Sequence, residues 1–283
     1  MARVLIAGCG YVGEATADLF VARGWVVEGW TRSTEAVQQF SAKSYFVRAV
    51  DLSDQSAVMA CDTDFDAVIH CASTRGGDVD LYREVYLEGV RNLIARFTAA
   101  KVLFVSSTSV YAQTRGELVS EESAAEPMHP GGKILRQAEQ LTLEHHGIVA
   151  RLAGIYGPGR SFLLKSFLAG NATIDPENDR LLNHIHRDDA AAALVLLSEN
   201  QSTRAGIFNV VDDEPIRQSE CYRWLAAKLN KPVPPIGSAA AKRKRGWSNK
   251  QVSNAKLRDL GWVPQHPTFA EGMEKSVLAS FGL

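Results

Sequence analysis

The apolar run Arg3-Val4-Leu5-Ile6-Ala7 feeds directly into Gly8-Cys9-Gly10-Tyr11-Val12-Gly13, and then into the helix-forming Glu14-Ala15-Thr16-Ala17-Asp18-Leu19-Phe20. A strand that turns through three such glycines into a helix is what the pyrophosphate of a dinucleotide needs. Gly8 permits the tight turn, Gly10 leaves room for phosphate against the backbone, and Gly13 lets the helix press on the strand. The phosphates then lie at the positive end of the helix. A chain that begins this way is largely committed to strand-helix-strand units.

The second strand, Val26-Val27-Glu28-Gly29-Trp30-Thr31, indicates which dinucleotide is expected. An acid at its end would accept from the ribose 2′-hydroxyl of NAD, whereas an arginine there favours the 2′-phosphate of NADP. Here Thr31 is followed by Arg32-Ser33, and Glu28 lies three residues too early, inside the strand. NADP is therefore expected in preference to NAD, with Thr31, Arg32 and Ser33 beside the phosphate.

Strands and helices go on alternating. Tyr45–Val50 reads as a third strand, followed by a short helix through Met59, and Ala67–Ala72 as a fourth. A long helix is expected from about Asp78 to Ala100, because Leu81, Val85, Leu93, Ile94 and Phe97 recur at helical spacing. Val102–Val105 is the fifth strand. A helix opening on Pro130, a residue suited to a first turn, runs to His146 and the sixth strand, Ile148–Leu152. The pattern implies an α/β fold with a doubly wound parallel sheet. The second half is less regular: an exposed loop is expected from Asn171 to Asp179, helices near 188–199 and 217–229, and a strand over 206–211.

Composition narrows the function classes. With 46% hydrophobic residues in 283, the chain can bury a substantial core, and 31 basic against 32 acidic residues give no global field for nucleic acid. The run Lys242-Arg243-Lys244-Arg245 reads as a solvated face rather than a phosphate or nucleic-acid site. Cys9, Cys61, Cys71 and Cys221 show no metal-ligand spacing, so no metal is expected, and free thiols fit a cytoplasmic protein. No stretch approaches the ~18 apolar residues of a membrane span.

Val105-Ser106-Ser107-Thr108-Ser109-Val110-Tyr111 resembles a motif of the extended short-chain dehydrogenase/reductases, the NAD(P)-dependent epimerase/dehydratase family. Gly154-Ile155-Tyr156-Gly157-Pro158-Gly159, Ile185-His186-Arg187-Asp188-Asp189 and Lys256-Leu257-Arg258-Asp259-Leu260-Gly261-Trp262 resemble further motifs in the same order. The resemblance implies a Rossmann domain over residues 1–155 with 186–211, and a smaller α/β C-terminal substrate lobe over 156–185 with 212–283. It also implies that Asp51 and Leu52 meet the adenine, that Cys71-Ala72-Ser73 flank the cofactor ribose, and that the helices near 78–100 and 130–146 pair in a homodimer.

The family's catalysis rests on a Tyr, a Lys four residues later and a Ser. The Ser corresponds to Ser107. Aligned on Pro130 and Glu139, the Tyr position holds Gly131 and the Lys position Leu135. Lys133 points away, about 200° round the helix from Gly131, and His129 precedes the first-turn proline as a helix-entry residue. The Asn that the family carries in the long helix is here Tyr86. The chain thus resembles atypical members that keep the cofactor site without the usual proton relay. Two expectations follow. One is an NAD(P)-dependent enzyme acting on a sugar-like or other hydroxylated small molecule, its acid/base drawn from Tyr111, Tyr156 and His184, with His186 the weakest candidate. The other is a non-catalytic module that senses NADP(H) for a protein partner.

Overall fold

The computed structural model describes residues 1–74, 76–203, 205–237 and 248–283. The basic run at 242–245 lies outside them. Seven strands form one parallel sheet: β1 (Arg3–Ala7), β2 (Val26–Thr31), β3 (Phe46–Ala49), β4 (Ala67–His70), β5 (Lys101–Ser107), β7 (Ile148–Leu152) and β11 (Gly206–Val210). Their order is β11-β7-β5-β4-β1-β2-β3. The central strands are apolar on both faces, as in Val4-Leu5-Ile6 and Val68-Ile69, because helices cover both sides. Helices α1 (Tyr11–Ala22) and α8 (Arg187–Glu199) pack together against the sheet, as do α5 (Gly89–Arg96) and α6 (Pro130–Glu144). The fold is therefore the doubly wound α/β arrangement that the sequence implies.

A second apolar cluster joins Tyr156, Leu163, Leu164 and Phe167 to Cys221, Tyr222, Leu225, Phe269, Met273 and Val277. It is built on α7 (Phe162–Leu168), α9 (Gln218–Lys228) and the C-terminal helices, and short strand pairs adjoin it. β8 (Gly154–Tyr156) pairs with β10 (His184–His186) and β9 (Leu181–Leu182) with β12 (Ile216–Arg217), whereas a third short pair, β6 (Glu117–Val119) with β13 (Lys250–Val252), sends Val119 and Val252 into the main core.

The long helix expected from about 78 to 100 is interrupted. Asp78 caps α4 (Val79–Tyr82), a π-helical segment spans Arg83–Glu88, and α5 stops at Arg96. Beneath the π segment lies His70, whose Nε2 donates to the Val85 carbonyl at 2.8 Å. A Cβ on Gly89 would come within 3.0 Å of that same nitrogen, so glycine is what lets the helix settle here. The expectation of an exposed loop over 171–179 also needs correction. Ala172 and Ile174 are buried, and Ile174 bridges to Ile236, so the polar residues around them hide two apolar anchors.

A buried ionic network fastens α6 to the sheet. The Glu139 carboxylate accepts from Arg151 Nε and Nη2 at 2.9 and 2.7 Å, from Ser106 Oγ at 2.6 Å and from Arg136. Glu139 and Arg151 are both essentially inaccessible. The Arg151 guanidinium also stands 4.8 Å over the Tyr111 ring, and the Tyr111 hydroxyl donates to Asn209 Oδ1 at 2.9 Å. Removing one partner of such a pair leaves an uncompensated buried charge, which costs about 3–5 kcal/mol. Urea unfolding of Arg151→Met should show a loss of that size, and adding Glu139→Leu should recover much of it. Losses that simply add would mean that the two charges do not depend on each other.

Candidate functional site

The glycine turn is closed by three backbone hydrogen bonds. Gly8 and Cys9 N–H both donate to the Trp30 carbonyl, at 3.0 and 2.7 Å, and Gly10 N–H to the Gly8 carbonyl at 2.8 Å. Gly8 adopts φ +101°, and a Cβ there would stand 2.2 Å from the backbone nitrogen of Ala72. A Cβ on Gly13 would stand 2.4 Å from the Gly8 carbonyl. Those two glycines are demanded by the fold. Gly10 is different: a Cβ would find nothing within 4 Å, so the space over the first turn of α1 is open. Gly10 caps α1 without any side-chain hydrogen bond. An open, positively polarised helix start is a phosphate cradle, and the residues present fit a dinucleotide.

The next two residues face opposite ways. Val12 is buried in the core, whereas Tyr11 reaches across the turn, its hydroxyl donating to the Pro158 carbonyl at 3.0 Å. Two guanidinium groups, Arg160 and Arg187, stand 5.0 and 5.2 Å from the Tyr11 ring. This places two cations beside the cradle. No sequence motif singled them out for that position, because they come from segments far along the chain.

At the end of β2, Thr31 Oγ1 donates to the Ser33 carbonyl at 3.2 Å, and Ser33 caps α2 (Thr34–Gln38). Arg32 is exposed, with Nε 3.3 Å from an Asp51 oxygen. Burial pushes the Asp51 carboxyl up, but hydrogen bonds from Ser53 and the charge of Arg32 outweigh it and hold the group below its ordinary value. Glu28 is taken up inside the strand, by Trp30 Nε1 at 2.7 Å and Arg48 Nε at 2.8 Å. Leu52 is buried, and its carbonyl accepts from Asn92 at 2.8 Å. Cys71 N–H donates to the Ala7 carbonyl at 2.7 Å, Ala72 is the residue against Gly8, and the Ser73 hydroxyl lies 3.5 Å from that of Tyr86.

Ser107, at the end of β5, is half-buried and its Oγ accepts from the Ser109 N–H at 3.2 Å. Three other candidate acid/base residues must be corrected. Tyr111 is fully buried with its hydroxyl given to Asn209, and Tyr156 is 3% exposed with its hydroxyl donating to the Thr268 carbonyl. His184 is packed against Tyr156 and Phe269. Burial raises both phenols and pushes His184 down to about 4. All three belong to packed interiors.

His186, Asp189 and His266 form a buried trio of metal-ligand type. Most of their polar atoms are already engaged. His186 Nδ1 accepts from the Asp188 N–H at 3.2 Å and Nε2 donates to Ser276 Oγ at 3.0 Å. His266 Nδ1 donates to Asp189 Oδ2 at 2.9 Å, and the Gln265 N–H to Oδ1 at 2.7 Å. The imidazoles stack with centroids 3.7 Å apart, which aims their in-plane lone pairs side by side rather than at one point. The trio pins the start of α8 to the segment around 262–266.

At the head of α6, His129 caps the helix by accepting from the Gly132 N–H at 2.9 Å, and Lys133 is exposed. Leu135 is buried. A Cβ on Gly131 would meet the Tyr82 ring, with Cε1, Cδ1 and Cζ at 2.9, 3.0 and 3.4 Å. Tyr82 in turn leans on Tyr86, ring centroids 5.1 Å apart, and Tyr86 stacks on His70. Lys250, another residue the sequence did not single out, is buried with Nζ donating to the Tyr111 carbonyl and Ser248 Oγ, each at 3.0 Å. Burial and the charge of Arg180 lower it to about 8.

The pattern of the NAD dependent epimerase/dehydratase family matches residues 4–210. Protein YeeZ of Escherichia coli K12 is 29% identical over 284 residues, covering 94% of this chain and 97% of that protein. A solved structure from Methylobacillus flagellatus, provisionally described as an NAD-dependent epimerase/dehydratase, is 27% identical with a TM-score of 0.80 and covers 100% of this chain and 99% of its own. The dTDP-glucose 4,6-dehydratase of Bacillus anthracis, solved with NAD, shares the fold at 14% identity, with a TM-score of 0.83 over 100% of this chain and 97% of that one.

Two tests follow from the cradle and from the buried imidazoles. Gly10→Val should leave the far-UV circular dichroism unchanged and abolish dinucleotide binding, whereas Gly8→Ala, strained by its φ and its collision with Ala72, should destabilise the protein by more than about 2 kcal/mol. Undiminished affinity in Gly10→Val would place the dinucleotide elsewhere. Burial also pushes His70 down to about 4, from an ordinary 6.5. Unfolded chains take up a proton below about 6.5 that folded His70 and His184 refuse until about 4, so stability falls as pH drops through that window. Denaturant unfolding at pH 5 against pH 7.5 should show each histidine costing roughly 2 kcal/mol, and His70→Phe should flatten the profile; an unchanged slope in that variant would contradict the assignment.

Proposed function

The chain belongs to the NAD dependent epimerase/dehydratase family, and on that premise we propose that it is an NADP(H)-linked oxidoreductase of epimerase, dehydratase or reductase type, acting on a sugar-like or other hydroxylated small molecule with a non-standard catalytic set. The observation that carries this reading is the open space over Gly10, framed by glycines at 8 and 13 that the fold itself requires. In this proposal the α1 amides, with Gly8, Gly10, Tyr11, Val12 and Gly13 around them, hold the pyrophosphate. Thr31, Arg32 and Ser33 receive the 2′-phosphate, Asp51 and Leu52 the adenine, and Cys71, Ala72 and Ser73 the ribose. The bound cofactor supplies or accepts a hydride with its electron pair. Ser107 orients the substrate oxygen. Substrate is covered by the lobe formed from 156–185 with 212–283, while 1–155 with 186–211 carries the cofactor, and the protein acts in the cytoplasm as a homodimer through the helical segments near 78–100 and 130–146.

The non-standard element is the absence of the family's Tyr and Lys, whose positions Gly131 and buried Leu135 occupy, and of its Asn, replaced by Tyr86. That same absence favours a second reading, a module that senses NADP(H) for a protein partner. Purified protein incubated with NADPH and pooled carbonyl metabolites separates the two. Substrate-dependent loss of nicotinamide absorbance supports the enzyme; tight binding without turnover supports the sensor.

Arg32 is exposed and, among the described residues, is bound by one partly exposed ion pair, so a phosphate can recruit it at little cost. Charge-assisted contacts contribute about 1.5–3 kcal/mol, which corresponds to roughly a ten- to hundredfold preference for NADPH over NADH. Fluorescence titration of both cofactors should find that preference, and Arg32→Ala should erase most of it. Preference for NADH in the wild type would overturn the assignment.

A further inference from the structure

A phenol does stand where the Gly131 side chain would have been, and it comes from the opposite helix. The Tyr82 ring lies against Gly131, with three ring atoms, including the carbon that bears the hydroxyl, at 2.9–3.4 Å from the position a Cβ would take. No larger residue than glycine fits at 131 while Tyr82 holds this position. Gly131 and Tyr82 are thus matched, one small because the other is large.

Several contacts fix Tyr82 there. Asp78 accepts from the Leu81 N–H at 2.9 Å and so caps the helix that carries Tyr82. Tyr86, one turn on, supports the ring from beneath, and is itself held between the buried His70 and the Ser73 hydroxyl. The segment joining the two tyrosines is π-helical, and such bulges often mark working parts of a helix. The hydroxyls of the pair differ. That of Tyr86 is engaged with Ser73, whereas that of Tyr82 has no hydrogen-bond partner among the described residues. Tyr82 is half-buried, so its side chain is neither sealed in the core nor fully solvated.

We propose that Tyr82 is the acid/base of this protein, its phenol brought across from the neighbouring helix to the place vacated at Gly131, with Tyr86 as its positioning residue. The proposal rests on the oxidoreductase reading above. In the reducing direction the carbonyl substrate gains a hydride at carbon and the Tyr82 proton at oxygen, and becomes an alcohol. The hydride and its electron pair come from NADPH, oxidised to NADP+, and the phenolate recovers its proton from water. No lysine is required if the positive nicotinamide ring itself favours the phenolate in the oxidised complex.

That last point gives a test without any substrate. The chain has 7 tyrosines, so labelling at the ring carbon that bears the hydroxyl gives a small set of NMR signals, and Tyr82→Phe identifies the relevant one while keeping a ring against Gly131. With NADP+ bound, the Tyr82 signal should titrate at least about one pH unit lower than with NADPH bound, the effect of one positive charge within a few ångströms. Equal titration in the two complexes, both demonstrably formed by calorimetry, would overturn the role of Tyr82 and leave the cofactor reading intact. Failure of either nucleotide to bind would overturn both. A second readout is conformational. Gly131→Tyr alone should lower the melting temperature, and Tyr82→Ala added to it should restore most of the loss, because the two rings compete for one space. Additive losses would show that they do not, and would also overturn the proposal.

Discussion

The site depends first on how closely the end of β1 approaches the loop after β4. Gly8 lies so near Ala72 that a single Cβ would penetrate the backbone. That contact draws the turn down onto the sheet, lets Gly8 and Cys9 bond the Trp30 carbonyl, and leaves α1 starting in the open with uncapped amides. Everything proposed for the cofactor follows from this geometry. The adjoining residues then divide by chemistry: Val12 turns into the core, while Tyr11 spans to the loop at Pro158 and gathers Arg160 and Arg187 around its ring. The turn and the two guanidinium groups beside Tyr11 are therefore held by contacts within the protein, Arg187 pairing also with Asp188 at 2.7 Å.

The other end of the cleft is set by the way α6 is anchored. Glu139 ties α6 through Arg151 to β7 and through Ser106 to β5, and the line continues through Tyr111 to Asn209. From Asn209 it reaches the Ser253 carbonyl at 3.1 Å, beyond the last short strand. A buried charge pair is an uncertain source of net stability but a demanding one of geometry. It fixes where the head of α6, and hence Gly131, stands relative to Ser107. On the facing helix, α4 with Tyr82 and the π segment with Tyr86 both pack against α6.

The parts of this arrangement that local chemistry dictates could be read from the sequence. The glycine turn, the strand-helix alternation, the position of Glu28 inside its strand, and the role of His129 at a helix start each follow from a few neighbouring residues. The doubly wound fold class and the family followed from the strand-helix alternation and from motifs spread along the chain. Other features depended on contacts between distant segments. Nothing local distinguishes a π turn over Arg83–Glu88 from α-helix, because the apolar spacing is almost the same; it arises where the helix settles on His70 and Gly89. Strands of two or three residues, such as β9 and β12, carry no periodicity to detect. Tyr111, Tyr156 and His184 have the chemistry of catalytic groups, and their burial could not be read from their local sequence. Tyr82 could have been found by one signal: an unexplained glycine at a position where a ring is expected invites a search for a ring from elsewhere.

The central claim is that the chain holds a dinucleotide over Gly10 and meets its reactive end with a phenol that the sequence motif does not supply. A crystal structure of the protein with NADP+ tests this most directly. The account predicts pyrophosphate density over the first turn of α1, the 2′-phosphate at Arg32, and the Tyr82 hydroxyl facing the nicotinamide on the same side as Ser107. A nicotinamide ring bounded only by apolar atoms, with Tyr82 turned to solvent, or a dinucleotide bound away from the glycine turn, would contradict it.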